Sequence, residues 1–395
     1  MKRSLAFVLF FISVSCFSQA DTAKNAGCDL RISLLTCTPG KELYSTFGHS
    51  ALRVIDKNNG TDLIFNYGTF DFNDPDFYKK FIRGKLLYFV SIDNFADFVN
   101  DYRFEERGII EQTLNLSCAE KQNLVGALYE NAKEENKYYK YDFVYDNCTT
   151  RLRDIVAKYC GDSLINKNIL PYKRVTFRNL IHEYLNKGGE YWSKLGIDLL
   201  LGSPLDKKIS NKEAMFLPDY LLKGFDSTTI NGNPLVAEKK NILDFTPFVI
   251  KKKIFTPLPV AIFLFVVIAL LGFIRNEKAK TFFKIFDGFF FFLCGALGIW
   301  LFFMWFGTDH PTCKNNYNLL WALPSHFFVA FVISKKWKWL KYYFLANAVL
   351  LLLLSCLWEW LPQELNTALI PIIALLILRS LVRYKEIGSD DGKKS

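Results

Sequence analysis

The chain has 395 residues, of which 51% are hydrophobic and 38 are Phe, a high apolar content for a purely soluble protein. Its net charge of +10 is unevenly spread: residues 21–250 carry 30 basic and 31 acidic side chains, whereas residues 251–395 carry 17 and 8. Because the basic excess alternates with apolar runs in the second half, the charge indicates membrane topology and argues against a nucleic-acid partner.

The first twenty residues have the pattern of a secretory signal peptide, which we predict over residues 1–20. The pattern combines a basic start, an apolar run and a small-x-small cleavage site: Lys2 and Arg3, residues 5–14, and Ser18-Gln19-Ala20. Cys16 also admits a lipid-modified variant of this signal, although Ser13 stands where an aliphatic residue is usual. Both variants predict that the residues after the signal are exported.

Residues 21–250 have the pattern of a mixed α+β domain. Alternating apolar residues predict strands over 30–36, 51–55, 62–70 and 107–116, with an Asn58-Asn59-Gly60 turn between the second and third. Helical spacing predicts helices over 119–136 after Ser117, over 147–160 with Asp146 as the cap, and near 176–187. The stretch from 202 to 250 is punctuated by Gly and Pro and leads to the membrane half.

Residues 251–384 contain five apolar stretches of roughly the ~20 residues needed to cross a bilayer. The stretches lie over 257–274, 286–306, 318–334, 342–361 and 366–382. Of the 17 Lys and Arg in residues 251–395, 13 fall after the first stretch, after the third, and in or near the tail formed by residues 385–395. The exceptions are Lys314 and the run Lys251-Lys252-Lys253, which precedes the first stretch and is typical of an interface anchor. The positive-inside rule therefore predicts that the three segments with the 13 Lys and Arg are cytoplasmic. With five spans, residues 21–250 lie outside, in agreement with the signal peptide.

The motif YDNCTTRLRD (residues 145–154) sets Cys148 in the first turn of a predicted helix. A thiol near a helix N-terminus experiences the positive end of the helix dipole, and an adjacent imidazole lowers its pKa further. Such a thiol is partly ionised at neutral pH, which is what a cysteine nucleophile requires. The motif therefore predicts Cys148 as a catalytic nucleophile.

The imidazole partner has two candidates in the exported domain, His49 and His182. His49 begins a predicted strand within the motif STFGHSALRV, where a rigid element can aim its ring. His182 lies in a stretch of helical spacing, which is typical of an ordinary surface or core histidine. We therefore predict His49 as the base. The orienting group should be polar and lie on the next strand, with Asn66 as the first choice and Tyr67 as the second.

The order of a His strand, a polar strand residue and a later Cys helix resembles the circularly permuted, NlpC-type papain-like superfamily. More closely, LLTCTPGKELYSTFGHSALRV (34–54) and YDFVYDNCTTRLRD (141–154), followed by a multi-span tail with DHP and NYNLLW, resemble the Lnb family of lipoprotein N-acyltransferases of Bacteroides relatives. The resemblance implies an α+β, permuted papain-like extracytoplasmic domain followed by an all-α membrane domain of about five transmembrane helices. It also implies acyl transfer to the α-amine of the lipid-modified N-terminal cysteine of lipoproteins.

Position by position, the resemblance carries the thiol role to Cys148 and the imidazole role to His49. Its implied partners are a phospholipid acyl donor, a lipoprotein acceptor and the bilayer of the bacterial inner membrane, with the catalytic domain in the periplasm. No metal and no cofactor is predicted. Besides Tyr67, two residues are candidates for substrate binding: Arg151 could hold a donor phosphate or form a salt bridge, and His310 could bind a headgroup or cap a helix end.

Three alternatives remain open. Six cysteines fall outside in this topology, at positions 28, 37, 118, 148, 160 and 313, and three disulfides would also explain this even count. A membrane-tethered NlpC-type cell-wall hydrolase would use the same Cys and His, but it has no evident use for five spans. A non-enzymatic envelope sensor or scaffold would tolerate loss of the thiol.

Overall fold

The computed structural model describes residues 28–159, 163–165, 167–245, 253–274 and 276–391. The signal peptide predicted over residues 1–20, Cys160 and the end of the predicted tail lie outside these ranges. The described chain contains a mixed α/β region, which precedes the first apolar helix, and a helical region after it. The predicted change from mixed to purely helical structure is confirmed.

Ten strands form two sheets in the described ranges. The strands are β1 (Leu30–Cys37), β2 (His49–Asp56), β3 (Thr61–Thr69), β4 (Leu87–Asn94), β5 (Ile109–Leu114), β6 (Tyr138–Lys140), β7 (Ser163–Ile165), β8 (Thr228–Ile230), β9 (Asn233–Pro234) and β10 (Val236–Leu243). The larger sheet has the order β10-β5-β1-β2-β3-β4-β6 with antiparallel pairs throughout, and the smaller has the order β7-β8-β9. Strands β2 and β3 are therefore paired on both sides.

Eight α-helices of the mixed region cover the sheets. They are α1 (Phe77–Ile82), α2 (Phe95–Phe104), α3 (Cys118–Ala132), α4 (Cys148–Tyr159), α5 (Phe177–Lys187), α6 (Tyr191–Leu200), α7 (Asn211–Ala214) and α8 (Pro218–Asp226). On one face of the large sheet, Leu52 packs in a buried cluster with Leu124 of α3 and Leu152 of α4. On the other face, Ile64 packs in a cluster with Phe98 of α2. Burial on both faces holds the central strands rigid.

Helix α4 begins at Cys148, and its cap is Asn147 rather than the predicted Asp146. The Asn147 side-chain oxygen accepts from the Thr150 N–H at 2.8 Å, and the Thr150 hydroxyl accepts from the Asn147 N–H at 2.8 Å. Asp146 instead pairs with Arg151 at 2.6 Å. The prediction was wrong by one residue because Asp and Asn are about equally good caps. As a result, Cys148 is the first residue inside the helix.

Five α-helices form the described part of the membrane half: α9 (Pro257–Leu271), α10 (Glu277–Phe306), α11 (Ser325–Val332), α12 (Lys338–Cys356) and α13 (Leu369–Asp391). By length and apolar composition, α10 and α12 are each able to cross a membrane, whereas α9 is apolar but shorter. Helix α10 has 30 residues and begins at Glu277, well before the predicted start of the second span at residue 286.

The third predicted span, over residues 318–334, is not one continuous helix. A 3-10 turn at Tyr317–Leu320 is followed, after Pro324, by the eight residues of α11. Eight helical residues rise about 12 Å, far less than the ~30 Å hydrocarbon core. The break coincides with Pro324, which lacks the N–H that a continuous helix would need there.

The mixed region rests on the membrane half through α6. Leu195 and Leu199 of this helix pack against the buried cluster of the membrane helices. The side-chain amide of Asn316 donates to the Leu199 carbonyl at 2.7 Å, and that of Asn318 donates to the Asp198 carbonyl at 2.9 Å. These contacts combine apolar packing with hydrogen bonds and fix the orientation of the mixed region on the membrane helices.

A second contact joins α1 to the loop that follows α10. The Asp309 N–H donates to the Arg83 carbonyl at 2.9 Å. The His310 ring donates from Nε2 to the carbonyls of Phe81 and Ile82, each at 3.1 Å. Helix α1 therefore lies beside the end of α10 that the charge pattern predicts to face outward.

Candidate active site

Cys148 lies at the start of α4 with a half-buried side chain. Its thiol interacts with the imidazole of His49, with the Ser50 backbone N–H and, at 3.6 Å, with the Thr149 hydroxyl. The backbone N–H of Cys148 belongs to the first helical turn, which lacks intrahelical acceptors, and it donates to no protein acceptor within the described ranges. An unpaired N–H beside a sulfur nucleophile is able to stabilise a developing oxyanion.

His49 is the first residue of β2, and Asn66 of β3 holds its ring. His49 Nε2 lies 2.7 Å from Asn66 Oδ1. The Asn66 amide nitrogen donates to Asp93 at 3.2 Å, so the amide oxygen is the atom that faces the imidazole. Nε2 therefore carries the proton, and Nδ1 remains free to interact with Cys148. An imidazole held in this tautomer is able to accept the thiol proton.

The strand register explains why Asn66, and not Tyr67, contacts His49. Leu52 of β2 pairs with Phe65 of β3, which puts Asn66 one diagonal step from His49 on the same face of the sheet. Tyr67 follows and therefore points to the opposite face. There it is buried, and its hydroxyl accepts from a side-chain amide of α3 at 2.8 Å. The structure thus brings the first of the two predicted orienting residues to the Cys–His pair and leaves the second away from it.

Asp93 of β4 is a residue that the sequence analysis missed. Its carboxylate accepts from the Asn66 amide and, at 3.0 Å, from the Ser91 hydroxyl, which lies 3.0 Å from the Thr69 hydroxyl. This network fixes the amide of Asn66 in the orientation that the imidazole requires. Strand β4 was not predicted from the sequence. The alternation of polar and apolar residues in SIDN (91–94) is the signal that could have indicated this strand and with it Asp93.

Cys148 and His49 each stabilise the charged form of the other. Burial raises the pKa of the Cys148 thiol, but the charge and hydrogen bonding of His49, together with the Thr149 hydroxyl and the Ser50 N–H, lower it to about 7. Burial lowers the pKa of His49, but the charge and hydrogen bonding of Cys148, together with Asn66, raise it above its ordinary value. Near neutral pH a substantial fraction of the pair is therefore thiolate and imidazolium.

Two glycines shape the backbone around the pair. Gly48 precedes His49 with a φ of +77°, and a Cβ there would lie 2.7 Å from the Cys37 carbonyl oxygen. Gly68 has a φ of +95° and lies at an irregularity in the β3–β4 pairing. A Cβ added at Gly68 would lie 3.5 Å from the Cβ of Cys148. Both conformations favour glycine. The first therefore aims His49, and the second lets α4 approach the sheet.

Arg151, which was predicted to bind substrate, makes its interactions within the protein. Its guanidinium pairs with Asp146 at 2.6 Å and lies over the ring of Tyr139, 3.6 Å from the ring centre. This geometry matches the alternative in which the arginine forms a salt bridge. Tyr67 and Arg151 line the same small pocket between α3 and α4.

The other two candidate histidines contact groups away from Cys148. His310 holds the carbonyl end of α1, which matches the helix-capping alternative rather than the predicted headgroup binding. His182 Nε2 lies 2.7 Å from Asp198 Oδ1 at the junction with the membrane half. The structure therefore supports His49 over His182 as the partner of the thiol.

The cysteines in the described ranges are all free. Cys37 lies opposite His49 in the β1–β2 pairing, is fully buried, and has its pKa raised to about 12 by that burial. Cys28 Sγ lies 3.9 Å from the Cys118 carbonyl oxygen. Cys148 is thus a free thiol, and the ionisation of its side chain distinguishes it from its buried neighbour Cys37.

Two family models match the chain. The Lnb N-terminal periplasmic domain matches residues 17–183, which include Cys148 and His49, and the Lnb transmembrane domain matches residues 249–388. The chain belongs to the Lnb family. It is thus a membrane protein with a periplasmic N-terminal domain, and its family implies a lipoprotein N-acyltransferase-like function. No match was found among curated proteins or among solved structures.

The Asn66–Asp93 contact predicts graded effects on the reactivity of this Lnb protein. Asn66→Ala should slow acyl transfer by about 10- to 100-fold, since misplacing a catalytic group by about 1 Å has effects of that size. Asp93→Ala should have an intermediate effect, and Asp93→Asn should retain most activity because its amide oxygen still accepts from Asn66. Steady-state kinetics would show the losses in kcat rather than in KM. Equal losses for both Asp93 variants would contradict an orienting role.

Gly48 is predicted to be intolerant of any side chain. Gly48→Ala should destabilise the fold by at least about 3 kcal/mol, because strained backbone and a clash with the Cys37 carbonyl add together. Gly60→Ala is the matched control, since Gly60 also has a positive φ of +64° but an added Cβ meets nothing within 4 Å. It should cost only about 1 kcal/mol. Thermal unfolding of the purified variants measures the difference, and equal destabilisation would refute the clash.

Proposed function

We propose that this Lnb protein is a lipoprotein N-acyltransferase with Cys148 as its nucleophile and His49 as its acid–base group. It moves a fatty acyl chain from a phospholipid, through a Cys148 thioester, to the α-amine of the lipid-modified N-terminal cysteine of lipoproteins. The observation that carries the proposal is the Cys148–His49–Asn66 arrangement, with a thiol pKa of about 7, in a domain that rests on membrane helices.

In the first step, the Cys148 thiolate attacks the carbonyl carbon of a phospholipid acyl ester. A carbon–sulfur bond forms, the ester carbon–oxygen bond breaks, and the lysophospholipid leaves as an alcohol that takes its proton from the His49 imidazolium. The unpaired backbone N–H of Cys148 is suited to hold the oxyanion of the tetrahedral intermediate. Asn66 keeps the imidazole in position while its charge changes.

In the second step, the acceptor amine attacks the thioester. A carbon–nitrogen bond forms, the carbon–sulfur bond breaks, and His49 Nδ1 accepts the proton that the amine loses. The products are an amide and the Cys148 thiolate with the His49 imidazolium, which is the starting state. Amine must compete with water at this step, and a site close to the bilayer surface limits hydrolysis.

The finer architecture is part of the same proposal. We infer a permuted papain-like fold, since a His strand, an Asn strand and a Cys helix follow one another in that order. We also infer a signal peptide over 1–20, a periplasmic catalytic domain over 21–250, about five inner-membrane spans over 251–384 and a cytoplasmic tail over 385–395. The alternation of basic and apolar segments supports this multi-pass topology.

The proposal is tested on lipoproteins from cells that depend on this protein for lipoprotein maturation. Mass spectrometry of their N-terminal peptides should show an N-acylated cysteine when the protein is present and a free α-amine after its depletion. An unchanged acylation state would overturn the proposal. If the muropeptide profile changed instead, the cell-wall hydrolase would take its place, and if neither changed, the sensor or scaffold would.

A further inference from the structure

A strip of aromatic rings leads from Cys148 to the outer end of α10. The Tyr141 ring lies beside Gly68 and Cys148. It stacks on Tyr88, with ring centres 4.3 Å apart, and Tyr88 lies 5.2 Å from Phe70. The rings of Tyr141, Tyr88 and Phe70 are half-buried. The inner end of the strip therefore lies beside the thiol and is partly covered by the protein.

The strip continues onto the surface along α1. Phe70 lies 4.5 Å from Phe72 and 5.7 Å from Phe77, and Phe77 stacks on Phe81 at 6.3 Å. Exposure increases outward: Phe77 is buried, whereas 70% of Phe72, 51% of Phe81 and 77% of the neighbouring Tyr78 are accessible. The six-residue helix α1 and the segment before it thus carry an exposed apolar patch, which is unfavourable in water and typical of a lipid- or protein-binding surface.

The outer end of the strip lies at the membrane surface. Helix α1 is bonded to Asp309 and His310, a few residues after α10 ends at Phe306. That end of α10 also exposes aromatic rings, with Phe302 and Phe306 half or more accessible. Aromatic residues at this level are typical of the membrane–water interface. The patch on α1 is therefore continuous with the lipid-facing surface of a membrane helix.

The charges beside the patch suit a phospholipid headgroup. Arg83 and Lys85 follow α1 directly and have exposed side chains. Neither side chain forms an ion pair within the described ranges, and the carboxylates that precede α1, Asp74 and Asp76, pair with Lys80 and Lys79. Two unpaired cations beside the outer end of the strip would attract the headgroup of an anionic or zwitterionic phospholipid as it enters.

We propose that this aromatic strip, formed by Phe81, Phe77, Phe72, Phe70, Tyr88 and Tyr141, is the binding site for the acyl chain of the donor phospholipid. The chain leaves the outer leaflet of the inner membrane at α1 and lies along the rings, which brings its ester carbonyl to Cys148. The role of this site as a donor site depends on the proposed acyltransferase function. Lipid binding to the strip is measurable without any acyl transfer.

The test uses full-length protein with Cys148→Ala in liposomes that contain a phospholipid with a diazirine in its acyl chain. After irradiation, labelled peptides should include residues of the strip in addition to the membrane helices. Phe72→Asp with Phe81→Asp should reduce labelling of the strip by at least about tenfold, because charge replaces apolar contact at its entrance. Phe104→Asp is the matched control, since Phe104 is 91% exposed on α2, and it should leave the labelling unchanged.

Labelling confined to the membrane helices, or an equal loss with Phe104→Asp, would overturn the proposal. A probe with its diazirine on the diacylglyceryl chains of a lipopeptide distinguishes donor from acceptor. If that probe labels the strip and the phospholipid probe does not, the strip belongs to the acceptor and the proposal is wrong. If phospholipid labels the strip of Cys148→Ala but the wild-type protein transfers no acyl group, the acyltransferase function alone is refuted.

Discussion

Replacing Cys148 by Ser should abolish acyl transfer while leaving the fold intact. A hydroxyl in place of the thiol remains protonated beside His49, so its nucleophilicity at neutral pH is far lower. We expect a loss of about 10³-fold or more in the rate of transfer from phospholipid to a diacylglyceryl lipopeptide in liposomes. The near-identical size of the two side chains should leave the thermal unfolding temperature unchanged.

The same substitution at Cys356 is the control for Cys148→Ser. Cys356 is an exposed free thiol of α12 in the membrane half. Cys356→Ser should therefore transfer acyl groups at the wild-type rate. If Cys148→Ser retained more than about a tenth of the wild-type rate with its fold intact, Cys148 would not be the nucleophile.

The ionisation of Cys148 should depend on His49. Thiolate is the form that iodoacetamide alkylates, so the rate of Cys148 modification should rise with pH through a midpoint at about 7. In His49→Ala the two largest effects that lower the thiol pKa, the charge and the hydrogen bonding of His49, are lost, whereas burial still raises it. The midpoint should move upward to at least the ordinary thiol value of about 8.5, which reduces the thiolate fraction at pH 7 about 15-fold.

His310→Ala is the control for the pH profile. His310 bonds to the backbone of α1, so its loss should leave the midpoint of Cys148 alkylation at about 7. Acyl transfer by His49→Ala should fall by about 10²- to 10⁴-fold as well, the usual contribution of a general acid–base group. An unchanged alkylation midpoint in His49→Ala would contradict a direct interaction between the imidazole and the thiol.

The elements that could be predicted from the sequence are those with a strong local signal. The alternation around residues 51–55 and 62–70 identified β2 and β3. Ser117 marked the start of α3, where the structure shows reciprocal cap hydrogen bonds between Ser117 and Glu120. Cys148 and His49 could be selected because reactive residue types stood next to a predicted helix start and a predicted strand start. Local patterns were sufficient for these choices.

Features that depend on contacts distant in sequence could not be predicted. The choice between Asn66 and Tyr67 requires the register of β2 against β3, because adjacent strand residues point to opposite faces. Asp93 depends on the pairing of β4 with β3, and the position of His310 depends on how α1 meets the membrane half. The break at Pro324 shows that apolar composition alone does not predict where a helix is interrupted.

The central claim is that Cys148 carries the acyl group during transfer, and intact-protein mass spectrometry tests it most directly. The full-length protein in liposomes is incubated with phospholipid in the absence of an acceptor. We predict a mass increase of one acyl chain, mapped to the peptide that contains Cys148, released by neutral hydroxylamine and absent from Cys148→Ser. Absence of an acyl adduct under conditions that support transfer, or an adduct on another residue, would contradict the account.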